Sequence, residues 1–359
     1  MKRNGKTSAG KVRWRCTSCG VSKTHKIDSS AKALNEFLDW LMSRQRQSDL
    51  PGEGRSFRRR TSKFWKIWPT PQLTGEMHPV IYLDGIYLGR RCVILIAASD
   101  KHVLGWYVAK TEHSRAWQSL LERIAPPEMV VIDGGRGIDS ALRNVWSSAK
   151  IQRCTFHAFC AVKRQTTSRP RLPAGIELYK LAKDLLGVKD IDAAIAWIKR
   201  YSIWCMKWSD FLKERSLNNG KLEYTHKNLR KARSALSKLI SKGQLFTYLD
   251  LGLAHLGSLP ATNNRIEGGI NAQLRHMLRD HRGLSLMRRI KAVYWWCYMH
   301  TEDPLSPAEI LRVMPTDDDI DALYQKYVYD PQETGAPQMW GDSLVWAELR
   351  NVDPWRNNY

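Results

Sequence analysis

Three acidic residues have unusual sequence neighbours: one lies inside an apolar run, and two directly precede a pair of glycines. Asp84 interrupts the apolar run VIYLDGIYL, and Asp133 ends the apolar run VVID directly before two glycines. Glu267 is the single carboxylate of the segment ATNNRIEGGINAQLR, where it also precedes two glycines. An ionised carboxylate within an apolar strand is costly unless it meets a cation or lies at the open face of a sheet. The pattern therefore indicates a site that binds a cation.

The chemistry open to such a set is metal-assisted phosphoryl transfer. Two carboxylates on adjacent strands repel one another and hold protons unless a metal neutralises them. Oxygen ligands suit Mg²⁺ or Mn²⁺, and a third carboxylate would complete a two-metal site, so Asp84, Asp133 and Glu267 are predicted to be catalytic metal ligands. Taken singly, each has a plainer interpretation, because an Asp at a strand end often forms a turn and a Glu on a helix is often solvated. Asp84 is the hardest to explain in that way.

The segment around Glu267 is predicted to be an amphipathic helix that Thr262 or Asn263 caps. At about 100° per residue, its apolar positions form one stripe that would pack on a sheet: Ile266, Ile270, Leu274 and Met277. Glu267 lies at the margin of this stripe, with Asn264 and Asn271 on the same side as supporting residues. The helix is therefore expected to hold the glutamate at the edge of the core, where it can meet the two aspartates.

The residues around the aspartates predict a mixed sheet. Three β-rich runs come first, and they are VIYLDGIYL, CVILIAAS and VLGWYVAK. They are followed by the helix SRAWQSLLERI, the strand EMVVIDG, the helix GIDSALRNVW and the short strand IQRCTFH. Three meandering strands followed by helix, strand, helix and strand match an α/β, ribonuclease-H-like domain.

Helical segments are predicted on both sides of these strands. Residues 158–260 have a helical pattern, which indicates an α-helical insertion within the mixed domain. Before the sheet, SSAKALNEFLDWLM and RSFRRRTSKFWKIW predict two helices separated by DLPGEG. A helix, a break and a basic helix resemble a helix-turn-helix DNA reader, in which Arg58, Arg59, Arg60 and Lys63 would bind DNA. An ordinary solvated basic helix is nearly as good an interpretation.

The overall charge indicates an anionic partner. The formal net charge is +22, and residues 1–75 alone hold 17 basic against 5 acidic residues, whereas residues 301–359 hold 4 against 12. For a protein this basic, nucleic acid is the commonest partner. The sequence has no run of 18 apolar residues to span a membrane and begins with no signal peptide. Seven cysteines, an odd number, favour a reducing compartment over a disulfide framework.

Four motifs together resemble those of bacterial insertion-sequence transposases of the mutator type: YLDGIYLG, VVIDGGRGIDSAL, CTFH and TNNRIEGGINAQLR. The resemblance runs from the N-terminal CxxC to about residue 300. It implies an Asp, Asp, Glu triad on a ribonuclease-H-like fold, here Asp84, Asp133 and Glu267. It also implies that Cys154 and His157, a Cys-two-residues-His motif, support the active site or contact DNA. A metal-binding pair, or a packed Cys with a partly buried His, is the alternative.

The resemblance also bears on the N-terminus. Relatives often begin with a zinc ribbon of two CxxC pairs, whereas this chain has one pair, Cys16 and Cys19, with His25 as a possible third ligand. A closed zinc site needs four ligands. Either the finger is degenerate, or the chain starts downstream of the true start. We expect the second, so that Zn²⁺ would bind only to an extended N-terminus.

The motifs and the segment patterns together predict the organisation of the chain. The predicted order is a partial zinc-ribbon-like segment (1–28), a helix-turn-helix-like DNA-binding region (29–75), the first part of the catalytic core (76–157), the α-helical insertion (158–260), the last helix of the core (261–300) and an acidic C-terminal tail (301–359).

The predicted function is that of a transposase that uses Mg²⁺ or Mn²⁺ to cut DNA at the ends of its own element and to join them to a target. Its predicted partner is double-stranded DNA, both terminal inverted repeats and target. The resemblance implies a homodimer or larger complex in the bacterial cytoplasm, at the nucleoid. One alternative is a ribonuclease-H-like nuclease without strand transfer, against which the helix-turn-helix-like front and the large insertion count. The other is a transposase-derived DNA-binding protein, against which the intact carboxylates argue.

Overall fold

The computed structural model describes residues 1–24, 28–72, 74–135 and 137–329, so that His25 and the end of the acidic tail lie outside the described residues. The chain begins with a small antiparallel sheet whose side chains are mostly exposed. Its strands are β1 (Lys2–Lys6), β2 (Val12–Arg15) and β3 (Ser22–Thr24). Cys16 and Cys19 lie in the turn between β2 and β3, and both are free thiols.

A five-stranded mixed sheet forms the centre of the molecule. Its strands are β4 (Val80–Leu88), β5 (Cys92–Ala98), β6 (Val103–Ala109), β7 (Met129–Ile132) and β8 (Lys150–Arg153), in the order β6-β5-β4-β7-β8. The first three form an antiparallel meander, and β7 and β8 run parallel to β4. Parallel neighbours need crossover connections, which α3 (Ser114–Leu121) and α4 (Ile138–Val145) supply. The predicted α/β arrangement with a mixed sheet is confirmed.

The alternation of side chains along β4 sends neighbouring residues to opposite faces of the sheet. Ile81 and Leu83 pack with α3 and α4 on one face. Tyr82 and Ile86 pack on the other face, so Asp84 shares their side. That second face is covered by the helices that follow the insertion, and this is why Asp84 can meet the segment that contains Glu267.

The two helices predicted before the sheet are present, and they pack into the main core. They are α1 (Ser30–Met42) and the short α2 (Arg55–Thr61), followed by a 3₁₀ turn, Ser62–Lys66. Their buried side chains belong to the same apolar cluster as one face of the sheet. Phe37 of α1, for example, lies with its ring edge-on to Trp295, at 6.0 Å between centroids. These helices are therefore continuous with the central domain.

The segment between β8 and the last part of the core is mostly helical and has its own apolar cluster. Its helices are α5 (Thr155–Thr166), α6 (Pro173–Asp184), α7 (Ile191–Lys207) and α8 (Lys227–Ser241). The prediction of a purely helical insertion is wrong in one place, because β9 (Arg215–Asn218) and β10 (Lys221–Tyr224) form a hairpin. The turn is Asn219-Gly220, both with positive φ, which is the residue pair that two-residue hairpins prefer.

Two further predictions at the ends of the insertion need correction. The run IQRCTFH is not one strand, since β8 ends at Arg153 and α5 begins at Thr155. The helix around Glu267 is not an α-helix at its start: Arg265–Asn271 is a π-helical segment that continues into α9 (Ala272–Asp280). A widened π turn is tolerated where glycines place no side chains, and such turns are frequent at functional sites. The predicted apolar stripe is nevertheless buried throughout.

Three more helices complete the described chain: α10 (Leu286–Met299), α11 (Pro307–Val313) and α12 (Asp317–Tyr329). Among the helices of the described residues, none has the length and apolar character that crossing a membrane requires.

A buried cation fastens the start of α12 to the core. Lys291 on α10 is fully buried, and its ammonium group donates to the carbonyl oxygen of Trp65 and to Asp317 Oδ1. Its Nζ also lies 4.3 Å from the ring centroid of Trp68. Lys66 and Asp318 form a contrasting ion pair. Lys66 Nζ lies 3.9 Å from Asp318 Oδ2, and both side chains are mostly exposed.

Removing the buried ammonium should cost far more than removing the exposed one. Lys291→Met leaves Asp317 without its cation, and we expect a loss of about 3 kcal/mol in the free energy of unfolding. Lys66→Met breaks a solvated pair and should cost less than about 1 kcal/mol. Urea unfolding of the two variants measures both values, and equal small losses would contradict the structural role of Lys291.

Candidate active site

Asp84 lies on the central strand with little contact with water. Its side chain is buried, Oδ1 accepts from the Gly85 amide (2.8 Å), and Oδ2 accepts from Asn271 Nδ2 (2.7 Å). Burial first, and then the negative charge of Asp133, raise the pKa of Asp84 to about 7. A carboxylate with so high a pKa is poised to exchange its proton for a metal ion near neutral pH.

Asp133 follows the last residue of β7 and lies at the same edge of the sheet as Asp84. The register pairs Leu83 with Ile132, so the two aspartates are the next positions along neighbouring parallel strands. Asp133 Oδ1 accepts from the Gly135 amide (2.7 Å), which fixes the carboxylate in a tight turn. The strand register therefore brings the two predicted aspartates together.

Arg153, which the sequence did not single out, fills the space beside this turn. A methyl group at Gly134 would lie 1.0 Å from Arg153 Nη1, so a side chain there would require the guanidinium group to move. Gly134 also has a φ of 82°, which favours glycine. Burial lowers the pKa of Arg153, and the negative charge of Asp133 acts in the opposite direction. The guanidinium group thus offsets part of the charge of Asp133.

Glu267 lies on the π-helical segment and contacts the Cys-two-residues-His motif. His157 Nδ1 is 3.1 Å from Glu267 Oε1, as an ion pair rather than an aligned hydrogen bond. The hydrogen bond of His157 with Cys154, and then its contact with Glu267, raise the pKa of His157 to about 10. The imidazole is therefore charged at neutral pH and holds the glutamate.

Cys154, His157 and Glu267 each have a potential ligand atom within 4.8 Å of the others. Among the described residues this is the one such group of three, and the two aspartates do not belong to it. The charge of Glu267 nevertheless contributes to the raised pKa of Asp84, so the two carboxylates are near enough to interact electrostatically.

The asparagines near Glu267 occupy different positions from those predicted. Asn271 contacts Asp84 directly, whereas Asn264 is exposed and lies against Gly268. Asn263 was expected to cap the helix. It is instead fully buried, and its Nδ2 donates to the carbonyl oxygen of Leu83 (3.0 Å). Its backbone amide donates to Cys154 Sγ (3.2 Å). Asn263 lies three residues before Ile266, in line with the apolar stripe, and that spacing could have indicated its burial.

A further carboxylate, Glu112, lies beside Asp133, and sequence reasoning missed it. It follows β6, which runs parallel to β4 because both are antiparallel to β5. The end of β6 therefore lies at the same edge as Asp84 and Asp133. Burial, and then the charge of Asp133, raise the pKa of Glu112. The signal was available, since the residue stands two positions beyond the predicted strand VLGWYVAK.

The basic residues predicted to bind DNA lie on α2 and the turn after it, and all are exposed. Arg58 donates to the carbonyl oxygen of Glu53 (2.9 Å), Arg60 pairs with Glu36 (3.0 Å), and Lys63 donates to Ser30. Arg59 has no partner within the described part of the chain. They lie on a different element from the carboxylates.

The raised pKa of Asp84 predicts how stability changes with pH. Its folded pKa, about 7, is above the unfolded value near 3.8, so without metal stability falls as pH rises between these values. Asp84→Asn removes this dependence. In EDTA, the free energy of unfolding of Asp84→Asn minus that of wild type should increase by up to roughly 4 kcal/mol between pH 4 and pH 8.

Urea unfolding across this pH range, with the exposed Asp192→Asn as the control, measures the difference. The change in hydrogen bonding in Asp84→Asn shifts all values equally, so the slope is the decisive quantity. Parallel curves for wild type and Asp84→Asn would contradict the raised pKa.

Comparison with known proteins identifies a family that this sequence matches. Residues 60–276 match the sequence model of the family described as Transposase, Mutator family. A probable transposase for an insertion sequence element from Corynebacterium diphtheriae is 26% identical over 129 residues, which is 31% of this chain and 37% of that protein. The transposase for insertion sequence element IS905 from Lactococcus lactis subsp. lactis (strain IL1403) is 23% identical over 140 residues, 34% of this chain and 35% of that protein.

The chain thus aligns with little more than a third of the length of each of these curated relatives. The family match is longer and extends over more than half of this chain. It includes Asp84, Asp133, Cys154, His157 and Glu267. The chain therefore belongs to the Mutator family of transposases.

Proposed function

We propose that this chain is a transposase that cuts DNA at the ends of an insertion sequence and joins the freed ends to target DNA. The single observation that carries the proposal is the pair of aspartates, Asp84 and Asp133, side by side at one sheet edge, where the segment that contains Glu267 reaches Asp84 through Asn271. We also propose that the five-stranded sheet is a ribonuclease-H-like core. Its antiparallel meander followed by two parallel strands supports that assignment.

The residues at the site fit a hard divalent cation such as Mg²⁺ or Mn²⁺. Asp84, Asp133 and Glu267 supply oxygen donors, which such ions prefer. The buried carboxyl group of Asp84, with a pKa near 7 beside a second carboxylate, is an electrostatic arrangement that a cation would relieve. When bound, the metal would lower the pKa of water and stabilise charge on the phosphoryl oxygens.

The protein's own groups would orient the reactants. Asn271 holds Asp84 in place, and the Gly135 amide holds Asp133. His157 holds Glu267 through the ion pair at 3.1 Å. In cleavage, water would attack the phosphorus of the terminal phosphodiester, and the 3′-oxygen would leave as a hydroxyl. That hydroxyl would then attack a phosphorus of the target strand and displace its 3′-oxygen.

DNA would be bound by basic surfaces outside the site. The exposed Arg58, Arg59 and Arg60 on α2 support a role in recognising the terminal inverted repeats, and exposed lysines of the insertion would contact phosphates. The family resemblance supports a homodimer or a larger assembly that pairs two ends on DNA. The small N-terminal sheet with Cys16 and Cys19 is proposed to bind zinc only with additional ligands.

Glu267→Gln tests the mechanism. The substitution keeps the side chain's size, so folding should change little, but it removes a charged ligand. We expect cleavage of a repeat-ended duplex with Mg²⁺, and strand transfer, to fall at least about 100-fold, the scale for losing one electrostatic stabiliser. Glu122→Gln, at an exposed position, is the matched control. Cleavage by Glu267→Gln at the wild-type rate would show that Glu267 is a structural residue.

A strand-transfer assay in the same reactions separates the proposal from a nuclease that only cuts. Wild-type protein should join the cleaved 3′ end to a second duplex. Cleavage without any joined product would favour the nuclease.

A charge-matched pair of triple variants tests DNA-end binding. In the first triple variant, Arg58, Arg59 and Arg60 are changed to alanine. It should bind terminal repeats more weakly. The slope of log affinity against log salt concentration should fall by roughly one for each phosphate that these arginines neutralise. The control changes Lys101, Arg143 and Arg312, exposed outside both α2 and the insertion, to alanine, with the same reduction in charge. Binding is measured at matched salt, and equal weakening by both triples would mean that total charge, not α2, decides affinity.

A further inference from the structure

We propose that Cys154, His157 and Glu267 form a second cation site, which takes a soft divalent ion such as Zn²⁺ and thereby withdraws Glu267 from the hard-cation site. The metal site itself stands on the geometry of these three residues. The competition for Glu267 rests on the proposed function, in which this glutamate serves the hard cation.

The three side chains converge although they come from distant parts of the chain. Their potential ligand atoms lie within 4.8 Å of one another, and His157 Nδ1 is 3.1 Å from Glu267 Oε1. In a tetrahedral zinc site, bonds of about 2.0–2.3 Å place neighbouring ligand atoms roughly 3.3–3.8 Å apart. The nitrogen and the oxygen are therefore close to the spacing that a shared ion requires, and small movements of the side chains would bring in the sulfur.

The two atoms that face each other lack aligned hydrogen bonds. His157 Nδ1 and Glu267 Oε1 are both buried, and neither atom makes such a bond within the described part of the chain. A buried polar atom without a partner costs free energy, and one metal ion would supply a partner to both. The side chains are otherwise partly open, with 28% of His157 and 27% of Glu267 exposed, so water can fill the fourth position of the ion.

The surroundings of Cys154 suit a metal-bound sulfur. Cys154 directly precedes α5, a helix of 12 residues whose N-terminal end stabilises negative charge. Its Sγ also accepts from the Asn263 amide at 3.2 Å, a contact of the kind that orients a metal ligand from outside. Since His157 lies three residues later, the start of the same helix presents both ligands on one side.

The donor set selects the class of ion. One sulfur and one imidazole nitrogen beside a single carboxylate suit Zn²⁺ and similar ions, whereas Mg²⁺ and Mn²⁺ prefer oxygen. Glu267 is the member shared with the proposed hard-cation site. An ion that holds its Oε1 would therefore leave Asp84 and Asp133 without the third carboxylate.

Cadmium binding by the full chain tests the site without relying on activity, because a Cd²⁺–thiolate bond absorbs in the ultraviolet. The background protein carries Cys16→Ser and Cys19→Ser, which remove the N-terminal thiols. It should bind a single Cd²⁺ with a thiolate band. Cys154→Ser should bind Cd²⁺ at least about 100-fold more weakly, since losing a ligand should cost no less than losing an outer partner. The control Cys160→Ser, on the same helix, should bind like the background.

His157→Gln is a second variant, at a partly exposed position, and it should lose affinity for Cd²⁺ even if Cys154→Ser does not fold. Circular dichroism shows which variants are folded. Full Cd²⁺ affinity in the folded variants, or no thiolate band in the background, would overturn the site. The contact of His157 with Glu267 would then be an ion pair only.

Zinc inhibition tests the competition for Glu267. Cleavage of a repeat-ended duplex with Mg²⁺ would be measured with enough Zn²⁺ to saturate the site, and each protein would be compared with its own rate without Zn²⁺. The background should slow at least about 100-fold, the scale for losing one electrostatic stabiliser, and Cys154→Ser should slow much less. No inhibition, or equal inhibition of both, would overturn the competition. No cleavage even without Zn²⁺ would count against the proposed function, while the Cd²⁺ titration would still decide the metal site.

Discussion

The burial of one carboxylate in the middle strand of the sheet is the constraint on which the rest of the site depends. Asp84 is only 8% exposed, and a buried charge must be compensated by hydrogen bonds or by a counter-charge. The Gly85 amide and Asn271 supply two hydrogen bonds. The second joins positions 187 residues apart in the chain. The hydrogen bond from Asn271 to Asp84 thus requires the chain to return to the sheet after the whole insertion.

That return is held by a buried polar side chain at the base of the insertion. Gln152 on β8 is fully buried, and its Nε2 donates to the carbonyl oxygens of Leu245 (3.2 Å) and Ala261 (3.4 Å). The amide of Thr155, at the start of α5, also donates to Ala261 (3.0 Å). The two ends of the insertion are therefore joined at β8, while its own apolar cluster stabilises the rest. The Glu267 segment begins from this fixed point, which accounts for its defined position beside Asp84.

Glu267 lies between two electrostatic environments. The charged His157 contacts it directly, and the charge of Glu267 acts on the buried Asp84. Its segment is a widened helix that contains two adjacent glycines, so its backbone is less constrained there than that of an α-helix. The ion pair with His157 holds the side chain in place. The Cys154 thiol completes this arrangement by accepting from the Asn263 amide.

The sequence by itself determined most of the elements of the central sheet, because buried strands and amphipathic helices have distinct apolar periods. It also singled out the two aspartates, since an ionised Asp within an apolar strand is costly without a compensating cation and a second Asp ends another apolar strand. The π-helical turn, the end of β8 at Arg153 and the hairpin in the insertion were mispredicted or missed from local pattern. Glu112, Asn263 and Arg153 have ordinary local contexts and became site residues only through strand order and the close approach of glycines. Those contacts are between residues far apart in the chain, and tertiary packing alone decides them.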